Sequence, residues 1–142
     1  MLGNFWFGLE KVHRLTSQRR HELRVELTHK EIYYFAHYDN FTLLGETENY
    51  VIRVAGYHGT ASDGLGHYDN MPFTTRDRDN DRHDEICATL YHGGWWYGGC
   101  PHAHSNLNGL WDSKVEDEGL TWYWAGSFAQ ATFTEMKIRP MA

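Results

Sequence analysis

Apolar and polar residues alternate over residues 21–27, with Leu23, Val25 and Leu27 on one side and Glu22, Arg24 and Glu26 on the other. That period of two predicts a half-buried β-strand. The following "EIYYFAHY" is rich in β-forming residues and predicts an antiparallel neighbour. Shorter strands are expected at residues 41–44 and 50–54, and a last one over "ATFTEMKI", with Thr132, Thr134, Met136 and Ile138 on one side. Leu9, Val12 and Leu15 recur at helical spacing and are followed by Arg19 and Arg20, which predicts a short helix over residues 8–16. Regular structure thus gathers at the two ends of the chain.

Between residues 56 and 128 periodicity fades and Gly, Asn, Asp and His become frequent. So long an irregular stretch inside a compact domain is either functional or internally pinned. The expected organisation is one α+β domain, with a sheet subdomain at 1–55 and 129–142 and a loop-rich binding subdomain at 56–128.

Composition narrows the function classes. An aromatic content of 15% with 14 glycines and three prolines in 142 residues describes a folded, turn-rich body. The formal charge of −6, with the basic residues scattered, argues against a nucleic-acid partner, which needs a basic stripe. No apolar run reaches the roughly 18 residues of a membrane span, and "MLGNFWFGLEKVHRL" does not read as a secretory signal.

Two features offer to pin the irregular half. In "FTTRDRDNDRHDEICATLYHGGWWYGGC" the acids Asp77, Asp79 and Asp81 fall at every second position, with Asp84 close behind. Hard oxygen donors suit calcium. Counted from Asp77, however, the sixth and twelfth positions hold Arg82 and Ala88 rather than the Gly and Glu of an EF-hand. The alternative is a solvated polar loop balanced by Arg76, Arg78 and Arg82. The second feature is Cys87 with Cys100, either one bridge or two buried thiols. His92, His102 and His104 suggest a zinc site with hydrolytic chemistry as an alternative, but they lack the usual ligand spacing. No G-x-S-x-G or other persuasive nucleophile occurs, which speaks against an enzyme. Trp95 and Trp96 read first as core residues. Asn40-Phe41-Thr42 is a glycosylation sequon.

The blocks "FWFGLEKVHRLTSQRRHELRVEL", "YDNF", "ENYVIRVAGYHGTASDGL", "FTTRDRDNDRHDEICA", "GGWWYGGC", "HSNLNGLW" and "TEMKIRP" resemble, in order, those of a fibrinogen C-terminal globular domain of the angiopoietin-like or ficolin type. The resemblance implies a secreted, extracellular, calcium-binding recognition module. It places carboxylate ligands on Asp79 and Asp81, carbonyl ligands on His83 and Glu85, and a disulfide on Cys87 and Cys100. It also implies a pocket beside the calcium loop that takes an acetylated glycan or a protein receptor, the changed pocket pattern favouring protein. Tyr91 matches a pocket tyrosine of acetyl-binding members. Pro101 follows the second cysteine, so His102 is expected in the role of the histidine usually found there. Of the positions that bind a basic N-terminal knob in fibrinogen chains, only Asp117 matches. A full family domain has further strands before "NFWFG", so an exposed sheet edge is expected, covered by a partner chain or by homo-oligomerisation. A structural piece with no ligand of its own is the remaining alternative.

Overall fold

The computed structural model describes residues 3–100, 104–115, 118–124 and 127–142. Helix α1 (Leu9–Gln18) leads into β1 (His21–His29), β2 (Ile32–Leu43) and β3 (Ile52–Gly59). A single helical turn, α2 (Cys87–Leu90), follows, then β4 (Ser105–Asn106), β5 (Thr121–Trp124), β6 (Ser127–Gln130) and β7 (Phe133–Pro140). Four strands form one sheet in the order β3-β2-β1-β7, and β4-β5-β6 form a smaller one.

The alternation over β1 does what its period requires. Leu23, Val25 and Leu27 are fully buried and pair with Ile138, Met136 and Thr134 of β7 in antiparallel register. The β1–β2 connection is two residues long, and Lys30 and Glu31 both take positive φ, the conformation of the tight hairpin turn that matches strand twist. The two strands expected at residues 31–38 and 41–44 are one continuous strand. Its register shifts opposite the segment from His21 to Leu23, so both Tyr38 and Phe41 point into the core although three residues apart. A β-bulge of this kind breaks the alternation that sequence reading relies on. The helix lies against the sheet through Leu9 and Val12. Its Thr16 hydroxyl accepts the Leu43 N–H at 3.2 Å, and a nitrogen of His13 lies 2.8 Å from the Leu43 carbonyl.

Buried polar hooks tie the segment at residues 62–68, after β3, both to the smaller sheet and to β2. The Tyr68 hydroxyl donates to the Ser105 carbonyl and accepts the Ser105 N–H, at 3.1 and 3.0 Å. The Trp122 indole donates to the Ser62 carbonyl at 2.8 Å. Its ring lies so close to Gly64 that a Cβ there would sit 2.5 Å from it, so glycine is required for this approach. Tyr38 is the corresponding hook of β2: its hydroxyl donates to Asp63 at 2.7 Å and accepts the Leu65 N–H at 3.1 Å. Burial, with the Asp63 carboxylate beside it, raises the Tyr38 pKa far above that of a free phenol. Tyr38→Phe leaves the Leu65 N–H unpaired, so a loss of about 1–3 kcal/mol is expected in denaturant melts. An unchanged midpoint would show that the loop is held without this hydroxyl.

At the other end of the sheet an open groove of about 770 Å³ runs between residues 5–9 and the inner face of β1 and β7. Phe5, Trp6 and Phe7 are exposed there. The outer strands of the four-stranded sheet are β3 and β7.

Candidate functional site

The acidic segment is wound by its own side chains. The Thr75 hydroxyl donates to Asp77 at 2.7 Å across a turn closed by backbone bonds between Thr75 and Arg78. That bond, more than the neighbouring arginines, holds the Asp77 carboxyl below the usual carboxylate range. Asp79 accepts the Asp81 N–H at 3.1 Å, and Asp81 accepts the His83 N–H at 2.9 Å. Each is a carboxylate bonded to the backbone two residues ahead, the way Asx turns curl a loop. The other oxygen of Asp81 accepts the Cys87 N–H at 2.9 Å, which fixes the turn to the start of α2.

Cys87 and Cys100 form a disulfide with Cα atoms 5.9 Å apart, within the usual range for a bridge. Sγ of Cys100 lies 4.0 Å from the Glu85 carbonyl oxygen, so the cross-link packs directly against the acidic turn. The turn is tied to the aromatic segment as well, because Thr74 and Trp95 exchange backbone hydrogen bonds at 2.9 and 3.2 Å. Asn80 closes the entry by bonding the Phe73 carbonyl and the Thr74 hydroxyl, at 2.8 and 3.0 Å. Asp79, Asp81 and the carbonyls of His83 and Glu85 therefore occur on one short turn and offer only hard oxygens. Each carboxylate oxygen that accepts one N–H retains a further lone pair. The His83 imidazole serves the turn itself, its Nδ1 accepting the Glu85 N–H at 3.1 Å.

The aromatic residues are core. Trp95, Trp96 and Tyr97 are 0, 2 and 0% exposed. The Trp96 indole donates to the Tyr50 carbonyl at 2.9 Å, and the Tyr97 hydroxyl donates to the Gly93 carbonyl at 2.6 Å. Burial pushes the Tyr97 phenol well above its ordinary pKa. Tyr91 is 6% exposed, its ring 5.9 Å from that of Tyr97, so little of its face is open to a ligand. His102 and Asp117 lie outside the described residues. Asn40 is exposed on β2 at the bulge.

The histidines named from sequence separate. His92 lies 3.4 Å from a carboxylate oxygen of Glu118, whereas His104 stacks on His67 with centroids 3.6 Å apart. Among the described residues, the cluster of three metal-ligating side chains is His37, Asp39 and His58 on the sheet, which sequence reading missed. No local spacing signals it, because His37 and His58 meet only through strand register.

Comparison with known proteins agrees with the fold. The family model for the C-terminal globular domain of fibrinogen beta and gamma chains matches residues 1–141. Rat tenascin-R is 42% identical over 137 residues, covering 96% of this chain and 10% of that protein. The fibrinogen-like globe domain of human ANGPTL6 superposes with a TM-score of 0.87 at 41% identity, over 99% of this chain and 65% of that domain. Lamprey fibrin D-dimer, solved with the peptide ligand Gly-His-Arg-Pro-amide, superposes with a TM-score of 0.80 at 29% identity, over 96% of this chain and 50% of that one. The chain thus spans about a tenth of tenascin-R and two thirds of the ANGPTL6 globe.

Proposed function

This chain belongs to the fibrinogen C-terminal globular domain family, an extracellular family of recognition modules, and from that premise we propose that it is a calcium-stabilised module that binds a protein or peptide segment beside the acidic turn. One observation carries the reading. The Asp81 carboxylate, the start of α2 and the Cys87–Cys100 bridge interlock around a turn whose other donors are hard oxygens. Asp79, Asp81 and the carbonyls of His83 and Glu85 would hold the ion, which when bound supplies a positive centre that offsets their mutual repulsion. The Asp81 carboxylate orients the turn against α2, and the disulfide limits how far the segment can open. Such preorganisation lowers the ordering cost of binding at a loop-built surface.

A protein or peptide ligand is favoured over an acetylated glycan because the aromatic faces needed for stacking are turned inward, Tyr91 included. The peptide bound to the lamprey fibrin relative points the same way.

Thermal unfolding of the oxidised chain in calcium and in chelator tests the calcium part. At a calcium concentration 100 times the Kd, stabilisation of about 2.7 kcal/mol is expected. For a chain of this size that is a rise of several degrees in Tm. The rise should vanish in Asp79→Ala/Asp81→Ala, the calcium-dependent difference being the readout, since the variant starts from a lower Tm. Equal melts with and without calcium would sink the calcium reading. Separately, arrays of peptides and of acetylated sugars presented to the calcium-loaded protein test the ligand class, and saturable binding to the sugars alone would reverse the preference.

A further inference from the structure

The outer face of the four-stranded sheet carries a second constellation, chemically unlike the acidic turn. His37 of β2 and His58 of β3 are direct cross-strand partners, with ring centroids 4.5 Å apart. Asp39 lies two residues beyond His37. Its Oδ1 is 3.7 Å from Nε2 of His37 and 3.8 Å from Nδ1 of His58. These separations exceed the roughly 2.7–3.2 Å of a hydrogen bond, yet the three atoms lie within 4.8 Å of one another. The three donor atoms gather in one small volume, within ion-pair reach but without hydrogen-bonding each other.

Two features of the backbone put Asp39 there. It lies at the β2 bulge, where the register opposite β1 slips. The facing strand has Gly56 with φ +72°, and a Cβ on that residue would sit 2.7 Å from both Cβ and Oδ2 of Asp39. The carboxylate therefore leans over β3 where only glycine leaves room. Arg20 bonds the Asp39 carbonyl, at 3.2 Å, rather than the carboxylate. Behind His37, Glu22 brings Oε2 to 3.4 Å from the same Nε2, while Oε1 holds Arg139. The side chain of His37 is 12% exposed, whereas those of Asp39 and His58 are 49 and 59% exposed. The cluster thus has a buried wall and an open outer side.

We propose that His37, Asp39 and His58 bind a divalent transition-metal ion of the zinc class. Two imidazole nitrogens and one carboxylate oxygen are donors that zinc accepts, and three protein ligands leave a fourth position for water or for a donor from another molecule. Metal–ligand bonds of about 2.0–2.2 Å in a tetrahedral site place donors roughly 3.3–3.5 Å apart. The observed 3.7 and 3.8 Å close to that by small side-chain rotations. The site ties β2 to β3 by side chains and is independent of the hard-oxygen turn.

Calorimetric titration of the chelator-stripped full chain with zinc chloride, in buffer containing calcium, tests this, with cobalt(II) absorption as a second readout of nitrogen ligation. One zinc per chain is expected. Loss of a partner that merely supports a ligand costs about 10–100-fold in affinity, so His58→Gln and His37→Gln are each expected to weaken binding by at least about 100-fold. His67→Gln, in the other histidine pair, is expected to leave it unchanged. His58 is on the exposed side and its variant decides the matter if His37→Gln fails to fold, with circular dichroism as the check. Absence of stoichiometric zinc, or undiminished binding in folded His58→Gln, overturns the proposal.

Discussion

Replacing Cys87 and Cys100 together by alanine is expected to destabilise the chain by about 3 kcal/mol, the largest effect of any change at the acidic turn. The two cysteines are 13 positions apart, and the chain-entropy account of cross-linking assigns roughly 3 kcal/mol to a loop of that size. The loop so closed contains α2, Tyr91 and the "GGWWY" core, so the bridge restrains the unfolded chain within the irregular half of the fold. Both cysteines are buried, which makes alanine the cleaner replacement because serine would add an unpaired hydroxyl. Denaturant unfolding of the oxidised chain and the double variant reads the difference in midpoint. A second consequence concerns calcium. With Sγ of Cys100 4.0 Å from the Glu85 carbonyl, losing the bridge should weaken calcium stabilisation as well as baseline stability. A destabilisation under about 1 kcal/mol would mean that the Asp81–Cys87 and Thr74–Trp95 bonds suffice to hold the turn.

The fold was legible where one physical constraint acted alone. Leu23, Val25 and Leu27 face the main core while Glu22, Arg24 and Glu26 lie on the opposite face in ion pairs, Glu22 buried there, and the period of two follows. It was illegible where tertiary geometry overrode local pattern. The bulge near Asp39 lies within one strand where two were expected, and β3 runs through Gly56 to Gly59, past the end expected at residue 54. The β5–β6 hairpin was hidden in an aromatic run, "TWYW", whose alternation does not separate inside from outside by polarity. At the acidic turn spacing alone left bridge or thiols open, the family resemblance implied the bridge, and the 5.9 Å Cα separation agrees with it. The histidine cluster on the sheet is the opposite case. Its members are 21 positions apart in sequence, from His37 to His58, and are adjacent only because His37 pairs with His58 in register.

Trp96→Ala is expected to cost about 3–5 kcal/mol, the range for emptying a buried indole site, and to disrupt both parts of the fold together. Its ring packs against Phe73 and Trp95 at centroid distances of 5.0 Å each, at the entry of the acidic turn. Its indole donates to the Tyr50 carbonyl, just before β3. Phe73 bonds the Asn49 carbonyl through its own N–H at 2.9 Å, so the turn and the β2–β3 connection share this one aromatic node. Trp96→Phe keeps most of the apolar volume and loses the indole donor, and a smaller cost of about 1–3 kcal/mol is expected from leaving the partly buried Tyr50 carbonyl without this donor. Chemical denaturation of the two variants separates packing from hydrogen bonding. Calcium titration of Trp96→Phe then asks whether the node transmits order to the turn: a calcium response equal to that of the parent would confine Trp96 to the core. If instead Trp96→Ala were as stable as the parent but failed to bind the peptide ligand, the indole would belong to the recognition surface, and the assignment of the "GGWWY" aromatics to the core would be wrong.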